Sequence, residues 1–378
     1  MQEYDAIRPY DDHEVPSVIE RVVNNPELGR AAVKLVMPKS LQGTAVGEWA
    51  AGMLLKLKTR KLQTVNDCQL IIAEYFERLI ADTITELTVS GLDKLDPAAH
   101  YLFMSNHRDI VMDSGLLNFL IHTAGHETCR IAAGDNLMDN RLAADLMRLN
   151  KSFVVERSVS GVRAALMAYT RTSSYIRHSL DEGVSIWIAQ RQGRAKDGWD
   201  RTDPALLKML ALAYKDHDNA IVGLLAHAKL VPVSISYEID PCALRKAHEL
   251  SVLAVTGEYD KADEEDLENI ILGIVGFKGR VHLHFGDVVK ASCTTAEELA
   301  AVIDLAIVDG LRIYPTHEAA AITLGDKVNA PSGLAPLPKV LDEFNAVLEA
   351  CPTLEREYLL SQYANVLRNK QDLNLVTD

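Results

Sequence analysis

His107 is the residue of this chain best placed to do chemistry. The stretch 103–113, FMSNHRDIVMD, runs from a short apolar strand pattern through Ser105 and Asn106 into His107 and Arg108, and a helix opens near Asp109. A histidine at such a junction has its ring near solvent and near helix N-terminal amides. Those amides and the helix macrodipole attract negative charge. Asp109 or Asp113 can orient the ring, which makes His107 a general base beside a site for an anionic substrate.

Three further segments follow in order. Residues 151–157 read KSFVVER, a β-branched run emptying into Glu156 and Arg157. Residues 184–196 read VSIWIAQRQGRAK, a buried-type strand followed by a loop with Arg191, Gly193, Arg194 and Lys196. Residues 230–238 read LVPVSISYE, a strand with Pro232 near its start. In open α/β sheets, ligands collect outside the carboxyl ends of strands. One histidine followed by two cationic strand exits describes a base beside a phosphate clamp. Each arginine taken alone has the alternative of pairing with a neighbouring acid, Glu156 or Asp197.

These side chains need elements to carry them. Residues 14–84 read as helices, with Val15, Val18 and Ile19 leading one and a longer pattern from about Leu70 to Ile84; Pro38, Gly43 and Gly47 separate them. Strand–helix alternation then begins: strands at Glu86–Val89 and Tyr101–Met104, a helix from Ile110 to about His122, a strand at Arg130–Ala133, a short helix at Arg141–Leu149 and a strand at Phe153–Val155. Val162, Leu166, Tyr169, Ile176 and Leu180 fall at helical spacing, with Gly183 where a C-terminal cap belongs. Pro204 after Asp203 starts another helix, and Val231–Ser236 is the last strand of the alternation. This order predicts an α/β fold: a mixed, largely parallel sheet flanked by helices, with helical N- and C-terminal additions. The expected organisation is a helical region 1–84, an α/β domain 85–290 and a helical region 291–378. Within the largely helical stretch beyond 242, Arg280–Phe285 is a strand whose His282 and His284 share a face; without a third ligand nearby they read as structural histidines rather than a metal site. Residues 295–312 and 337–369 read as amphipathic helices, and Pro331, Pro336 and Pro338 mark a linker-like stretch.

Bulk properties narrow the field. The 378 residues carry 48% hydrophobic and 24% charged side chains, a globular composition. A formal charge of −14 excludes a nucleic-acid binder, which needs a basic face. The exception is 54–61, LLKLKTRK, either a solvated helix face or a contact with lipid headgroups at a membrane surface. Five scattered cysteines without a C-x-x-C pair point to a reducing compartment and away from a thiolate metal site. The acidic, polar first residues do not read as a signal peptide, and no window approaches 18 uninterrupted apolar residues. The expectation is a cytoplasmic protein, soluble or peripheral on the inner face of the cell membrane.

The four segments together resemble the four ordered motifs of the glycerophospholipid acyltransferase superfamily, which includes glycerol-3-phosphate and 1-acylglycerol-3-phosphate acyltransferases. NHRDIVMD resembles the histidine–aspartate motif, SFVVERS the second, whose final arginine matches Arg157, RQGRAKDG the third and LVPVSISYE the fourth. RIAAGDNLM, 130–138, is similar to the strand and turn after the catalytic helix in bacterial glycerol-3-phosphate acyltransferases. The resemblance spans roughly 85–240. The chain departs from it twice. The family's aspartate stands five positions after its histidine, where this chain has Met112, and Asp113 lies one further. One residue rotates a helical side chain by about 100°, so Asp113 can orient His107 only if the preceding turn absorbs an extra residue. Asp109 can instead cap the helix. The third motif's glutamate is absent; Gln190 and Gln192 occupy its neighbourhood.

The resemblance implies a glycerol-3-phosphate acyltransferase-like fold and transfer of a fatty acyl group from acyl-CoA or acyl carrier protein to the hydroxyl of glycerol-3-phosphate or a lysophospholipid. His107 would take the hydroxyl proton, with Asp113 or Asp109 holding its tautomer. Arg157, Arg194 and Lys196 would hold the acceptor phosphate through charge-assisted hydrogen bonds, with Arg108 on the same phosphate or the donor's; Arg191, Gly193 and Pro232 complete the candidate binding residues. Pro232 is read chiefly as shaping a strand edge. No cofactor beyond the acyl donor as co-substrate is implied. There is no G-x-S-x-G elbow, so no covalent acyl-enzyme is expected. Ile110, Val111, Leu116, Leu117 and Phe119 offer an acyl groove or ordinary core packing. The competing class, suggested by Met112 and the missing glutamate, is a non-catalytic lipid-binding or scaffold protein on the same fold.

Overall fold

The structure, a computed structural model, describes residues 4–26, 28, 44–262, 265–290, 292–328, 332–373 and 375. Its strands are β1 (Ile84–Ser90), β2 (Leu102–Ser105), β3 (Arg130–Gly134), β4 (Ser152–Val155), β5 (Ile186–Ala189), β6 (Leu230–Tyr237) and β7 (Gly279–Phe285). The α-helices among the described residues are α1 (Val15–Val23), α2 (Ala45–Thr59), α3 (Val65–Thr83), α4 (Met112–Thr123), α5 (Arg141–Leu149), α6 (Val162–Asp181), α7 (Pro204–Ala211), α8 (Ala220–His227), α9 (Ala243–Thr256), α10 (Glu265–Val275), α11 (Ala296–Gly310), α12 (Pro315–Thr323), α13 (Pro338–Ala350) and α14 (Arg356–Asp372).

The seven strands form one mixed, mostly parallel sheet in the order β1-β7-β6-β2-β5-β3-β4, flanked by helices. β6, β2 and β5 run parallel, β3 and β4 run parallel to each other, and β7 meets β6 antiparallel while pairing in parallel with β1. Burial on both faces explains why LFMS, IWIA and the eight buried residues of β6 are apolar runs rather than alternating ones. The two serines inside β6 are satisfied from outside the ladder: Ser234 Oγ donates to the Ile307 carbonyl and Ser236 Oγ accepts from the Arg312 amide.

The chain divides into two compact units. One comprises residues 1–75 and 130–172, where Val15, Val18 and Val22 of α1 pack with Val65 and Cys68 of α3 and Leu149 of α5. The other comprises residues 76–129 and 173–378. There α14 supplies Leu359, Leu360, Tyr363 and Leu367 to a core shared with Ala243 of α9 and Phe344 of α13. Helix signals operate where the sequence places them: Asp203 caps α7 through the Ala205 amide with Pro204 in its first turn, and Gly183 takes a left-handed φ of 81° just past α6.

Several expectations change. Gly47 lies inside α2 rather than between helices, and Pro38, Gly43 and Pro331 lie outside the described residues. Ile84 begins β1 instead of ending α3. The pattern 337–369 is interrupted around Pro352, which separates α13 from α14. α4 begins at Met112, two residues later than its apolar pattern suggests, for a reason found in the turn before it.

Candidate active site

The strand exit of β2 is built by side chains that imitate backbone. Ser105 accepts from the Gln190 amide through its carbonyl (2.7 Å) and from Trp187 Nε1 through Oγ (3.0 Å). The next residue, Asn106, is fully buried and spans to β6: its Nδ2 donates to the Ile235 carbonyl at 3.0 Å and its Oδ1 accepts from the Ile235 amide at 2.8 Å. One side-chain amide thus continues the β2–β6 ladder by a further rung while the main chain turns away. That turn delivers His107.

The His107 ring lies 2.8 Å through Nδ1 from Asp113 Oδ2 and packs edge-on to Trp187, with 14% of its side chain exposed. Nε2 has no hydrogen-bond partner among the described residues. With Nδ1–H donating to the carboxylate, Nε2 carries the lone pair, the tautomer a general base needs. Asp113 is completely buried and serves four donors: His107 Nδ1, the amides of Arg108 (2.6 Å) and Asp109 (2.9 Å), and the Tyr237 hydroxyl (2.9 Å).

Asp109 does other work. Its Oδ1 accepts from the amides of Val111 (3.0 Å) and Met112 (2.8 Å), and its carboxyl is held above the usual range by burial and by the charge of Asp113. Residues 108–111 are therefore a turn tied by two carboxylates, and this turn absorbs the extra residue between His107 and Asp113. Met112, at the position of the family's aspartate, is fully buried. Asp109 and Asp113 thus already occupy the amides of Arg108, Asp109, Val111 and Met112, and these four are not open to an anion.

Arg108 is the clearest departure from the sequence reading. Its guanidinium points inward, 2.6 Å from the fully buried Asp200 and 3.4 Å from the Gly198 carbonyl, so it is committed to an internal ion pair rather than to a phosphate. Its carbonyl accepts from Lys246 Nζ (2.7 Å), a buried lysine of α9 that also pairs with Asp240. Burial pushes the Asp200 carboxyl up, against the pull of Arg108.

The cationic loop after β5 folds back onto the same exit. The Ala195 amide donates to the His107 carbonyl at 2.8 Å, so Arg194 and Lys196 flank a residue bonded to the histidine itself. Lys196 pairs with Glu249 of α9. Arg194 Nη1 is buried with no hydrogen-bond partner, while Arg191 forms no ion pair among the described residues. Gly193 holds a left-handed φ of 73° with open space where a β-carbon would stand. Gln190 is fully buried and Gln192 exposed, so neither presents a carboxylate's chemistry in place of the missing glutamate. From α14, Asn365 and Asn369 donate to the carbonyls of Asp197 (2.7 Å) and Gly198 (2.8 Å) and fix the far end of the loop.

Pro232 is neither at a sheet edge nor at the mouth of the site. It is buried in β6 between β2 and β7, and its carbonyl accepts from Gly286 just past the end of β7. The missing N–H falls where the antiparallel ladder stops, which is why an interior strand tolerates it.

Arg157 belongs to the unit of residues 1–75 and 130–172. Asp135, just after β3, accepts from the amides of Arg157 (2.9 Å) and Ser158 (2.8 Å) and fixes the turn after β4. The guanidinium lies against Gly134, where a β-carbon would meet Nη1 at 3.0 Å, and burial pulls its pKa down. Glu156 pairs with Arg171, not with Arg157.

His282 and His284 sit elsewhere, on β7. Thr88 and Ser90 of β1 contact both ring nitrogens of His282 (2.8 and 3.0 Å), and Ser90 also bonds His284 Nδ1 (2.8 Å). Among the described residues no group of three His, Cys, Asp or Glu side chains has metal-site geometry.

Tyr237, Asn106, Asp200 and Lys246 were missed by sequence reasoning. Only Tyr237 left a local trace, a phenol at the end of the fourth segment; Asn106 and Asp200 are fixed by partners tens of residues away, and Lys246 joins nearby Asp240 to the distant Arg108 carbonyl.

Residues 86–198 match the family model described as Acyltransferase, which takes in the first three segments. No curated protein matches the chain. Among solved structures, one similar chain is the 1-acyl-sn-glycerophosphate (LPA) acyltransferase PlsC from Thermotoga maritima, 14% identical, with a TM-score of 0.39 over 81% of this chain and 98% of that one. The family match takes in residues 86–198, and with the ordered motifs it contains it supports a likeness of this segment to the glycerophospholipid acyltransferase superfamily.

Proposed function

We propose that the chain transfers a fatty acyl group from acyl-CoA or acyl carrier protein to the hydroxyl of glycerol-3-phosphate or a lysophospholipid, with His107 as general base. The observation that carries this reading is the His107–Asp113 pair with Nε2 unengaged. The acceptor hydroxyl gives its proton to Nε2 as its oxygen attacks the thioester carbonyl; collapse of the tetrahedral adduct expels the thiolate, which takes that proton back from the imidazolium. A base so placed contributes roughly 10²–10⁴-fold in rate. Asp113 holds the Nδ1–H tautomer and stabilises the imidazolium.

Arg194, Lys196 and Arg191 are the cations proposed for the acceptor phosphate, on a loop whose backbone touches His107. Arg157 is proposed for the same role on its motif alone. Arg108, which pairs with Asp200, is better cast as support for the turn. The catalytic region is taken as 85–290, with 1–84 and 291–378 as helical additions.

A peripheral membrane contact through α2 is part of this reading. Met53, Leu54 and Leu57 are exposed beside Lys56, Lys58, Arg60 and Lys61, and among the described residues no helix is long and apolar enough to cross a membrane.

Thiol release from an acyl thioester, measured with and without glycerol-3-phosphate or lysophosphatidate, tests the proposal. Release that depends on acceptor and disappears in His107→Ala supports it. Release without acceptor identifies a thioester hydrolase, and no release with any donor identifies a lipid-binding protein on the same fold.

A further inference from the structure

The Asp113 carboxylate has two oxygens with different neighbours. Oδ2 is shared by His107 Nδ1 and the amides of Arg108 and Asp109. Oδ1, just as buried, has one partner, the hydroxyl of Tyr237 at 2.9 Å, which arrives from 124 residues away. Tyr237 is the last residue of β6 and is itself held in place: it pairs with Val281 of β7, and its carbonyl lies 3.2 Å from His317 Nε2 of α12. A phenol on a strand end so anchored is a rigid donor. Without it Oδ1 would be a buried anionic oxygen with no donor, a strongly unfavourable state.

We propose that Tyr237 is a positioning residue for the His107–Asp113 pair: its hydroxyl fixes the rotation of the Asp113 carboxylate and tempers the strength with which that carboxylate holds the imidazole. The geometric part stands on the hydrogen bonds alone. Its kinetic consequence rests on the acyl-transfer reading.

The chemistry sets the direction of the effect. A donor on Oδ1 draws electron density from the carboxylate and weakens its acceptance of the Nδ1 proton. Removing that donor makes Asp113 a stronger acceptor, stabilises the imidazolium, and carries the acid limb of the rate profile to higher pH. Burial, and then the charges of Asp113 and Asp109, push the Tyr237 phenol well above its ordinary range, so it remains a donor throughout. The other charged or titratable groups around the pair are Asp109 in the turn, Asp240 with Lys246, the Arg108–Asp200 pair, His317 and Lys278. Burial holds His317 neutral, with its pKa pushed down to about 3, and pulls Lys278 to about 8. Lys278 therefore titrates on the basic side, and the acid limb is the one that reports Tyr237.

The test compares the full-length wild type with Tyr237→Phe, which keeps the ring and deletes the donor. Two readouts are taken: the pH profile of kcat/KM for acceptor-dependent thiol release, and the NMR titration of the His107 ring in histidine-labelled protein, assigned with His107→Gln. The expected result is an upward move of about half a pH unit in both midpoints, with kcat lowered more than either KM. In an Asp113→Asn background, Tyr237→Phe should move neither midpoint further. Coinciding midpoints in wild type and Tyr237→Phe would overturn the proposal and leave Tyr237 a packing residue. Should Tyr237→Phe fail to fold, 3,5-difluorotyrosine at 237, of similar shape and a stronger donor, should move the ring titration downward; no movement would equally overturn it. If the wild type transfers no acyl group, the functional reading fails, while the NMR titration still decides the role of Tyr237.

Discussion

Asp113 reaches His107 at 2.8 Å across a turn that is not helical, and it is the extra residue in that turn that brings the two together. The aspartate one residue too far along for a regular helix becomes the partner because Asp109 and Asp113 jointly satisfy the amides that a helical first turn would leave exposed. Asp113→Asn should keep the fold and lower acceptor-dependent turnover by on the order of 10⁴-fold, as for the orienting acid of a catalytic triad. Asp109→Asn keeps an acceptor for the Val111 and Met112 amides, so it should leave the fold nearly as stable and hold kcat within tenfold. Moving the acid back, in Met112→Asp/Asp113→Met, should not rescue activity, since position 112 faces the core. Thiol-release kinetics with thermal melts separate these outcomes; comparable kcat losses in Asp109→Asn and Asp113→Asn would undo the division of labour.

Gly273 of α10 is where the turn leans on the rest of the protein. A β-carbon there would overlap Asp109 Oδ2 and stand 2.8 Å from its Cγ. Asp109 cannot swing aside without releasing the amides of Val111 and Met112. Gly273→Ala should therefore destabilise by about 1–3 kcal/mol, despite alanine's better helix propensity. In an Asp109→Ala background the same change should cost markedly less. Denaturant titration of the four proteins measures the coupling, and strict additivity would rule out the steric contact.

Acid should destabilise the fold through two buried imidazoles. Burial holds His317 down to about 3 and, aided by Arg312 and His284, His282 down to about 4, against an ordinary 6.5. Below about pH 6.5 the unfolded chain takes up protons that the folded chain refuses. Stability is therefore complete above that pH and declines as pH falls toward about 4 for His282 and about 3 for His317, at no more than about 1.4 kcal/mol per pH unit for each ring. Melting temperatures at pH 7 and pH 5 should differ less in His317→Gln and His282→Gln than in the wild type. An identical pH slope in all three proteins would contradict this account.

Membrane attachment, if it runs through α2, should be electrostatic as well as apolar. Lys56→Glu/Lys58→Glu should reduce co-flotation with vesicles of phosphatidylglycerol and phosphatidylcholine, and 0.5 M salt should weaken wild-type binding in the same way. Replacing Leu54 and Leu57 with serine should weaken binding at both salt concentrations. Equal flotation of wild type and charge-reversed protein would remove α2 from the contact.

Much of the fold was legible in the chain because it rests on short-range regularities. Apolar runs mark buried strands, the 3.6-residue period marks α6, and the Asp203–Pro204 pair marks the start of α7; each signal is complete within a few residues. The four polar strand exits were legible for the same reason, since ligand chemistry at a sheet gathers where apolar runs stop. The sequence by itself thus determined that His107 emerges from a strand with two aspartates within reach and a cationic loop further on.

Tertiary structure decided the rest. Whether Asp109 or Asp113 takes the histidine depends on which amides each must satisfy once the turn is closed against Gly273. Whether Arg108 meets substrate or Asp200 depends on a loop more than 80 residues on, held from behind by Asn365 and Asn369 of α14. Tyr237 reaches Asp113 only because β6 lies beside β2, and β7 enters between β6 and β1, antiparallel to the first and parallel to the second, although nothing in its own residues states its direction. Partner choice over such distances is set by packing and by the need to pair every buried polar group, a condition on the whole chain rather than on any stretch of it.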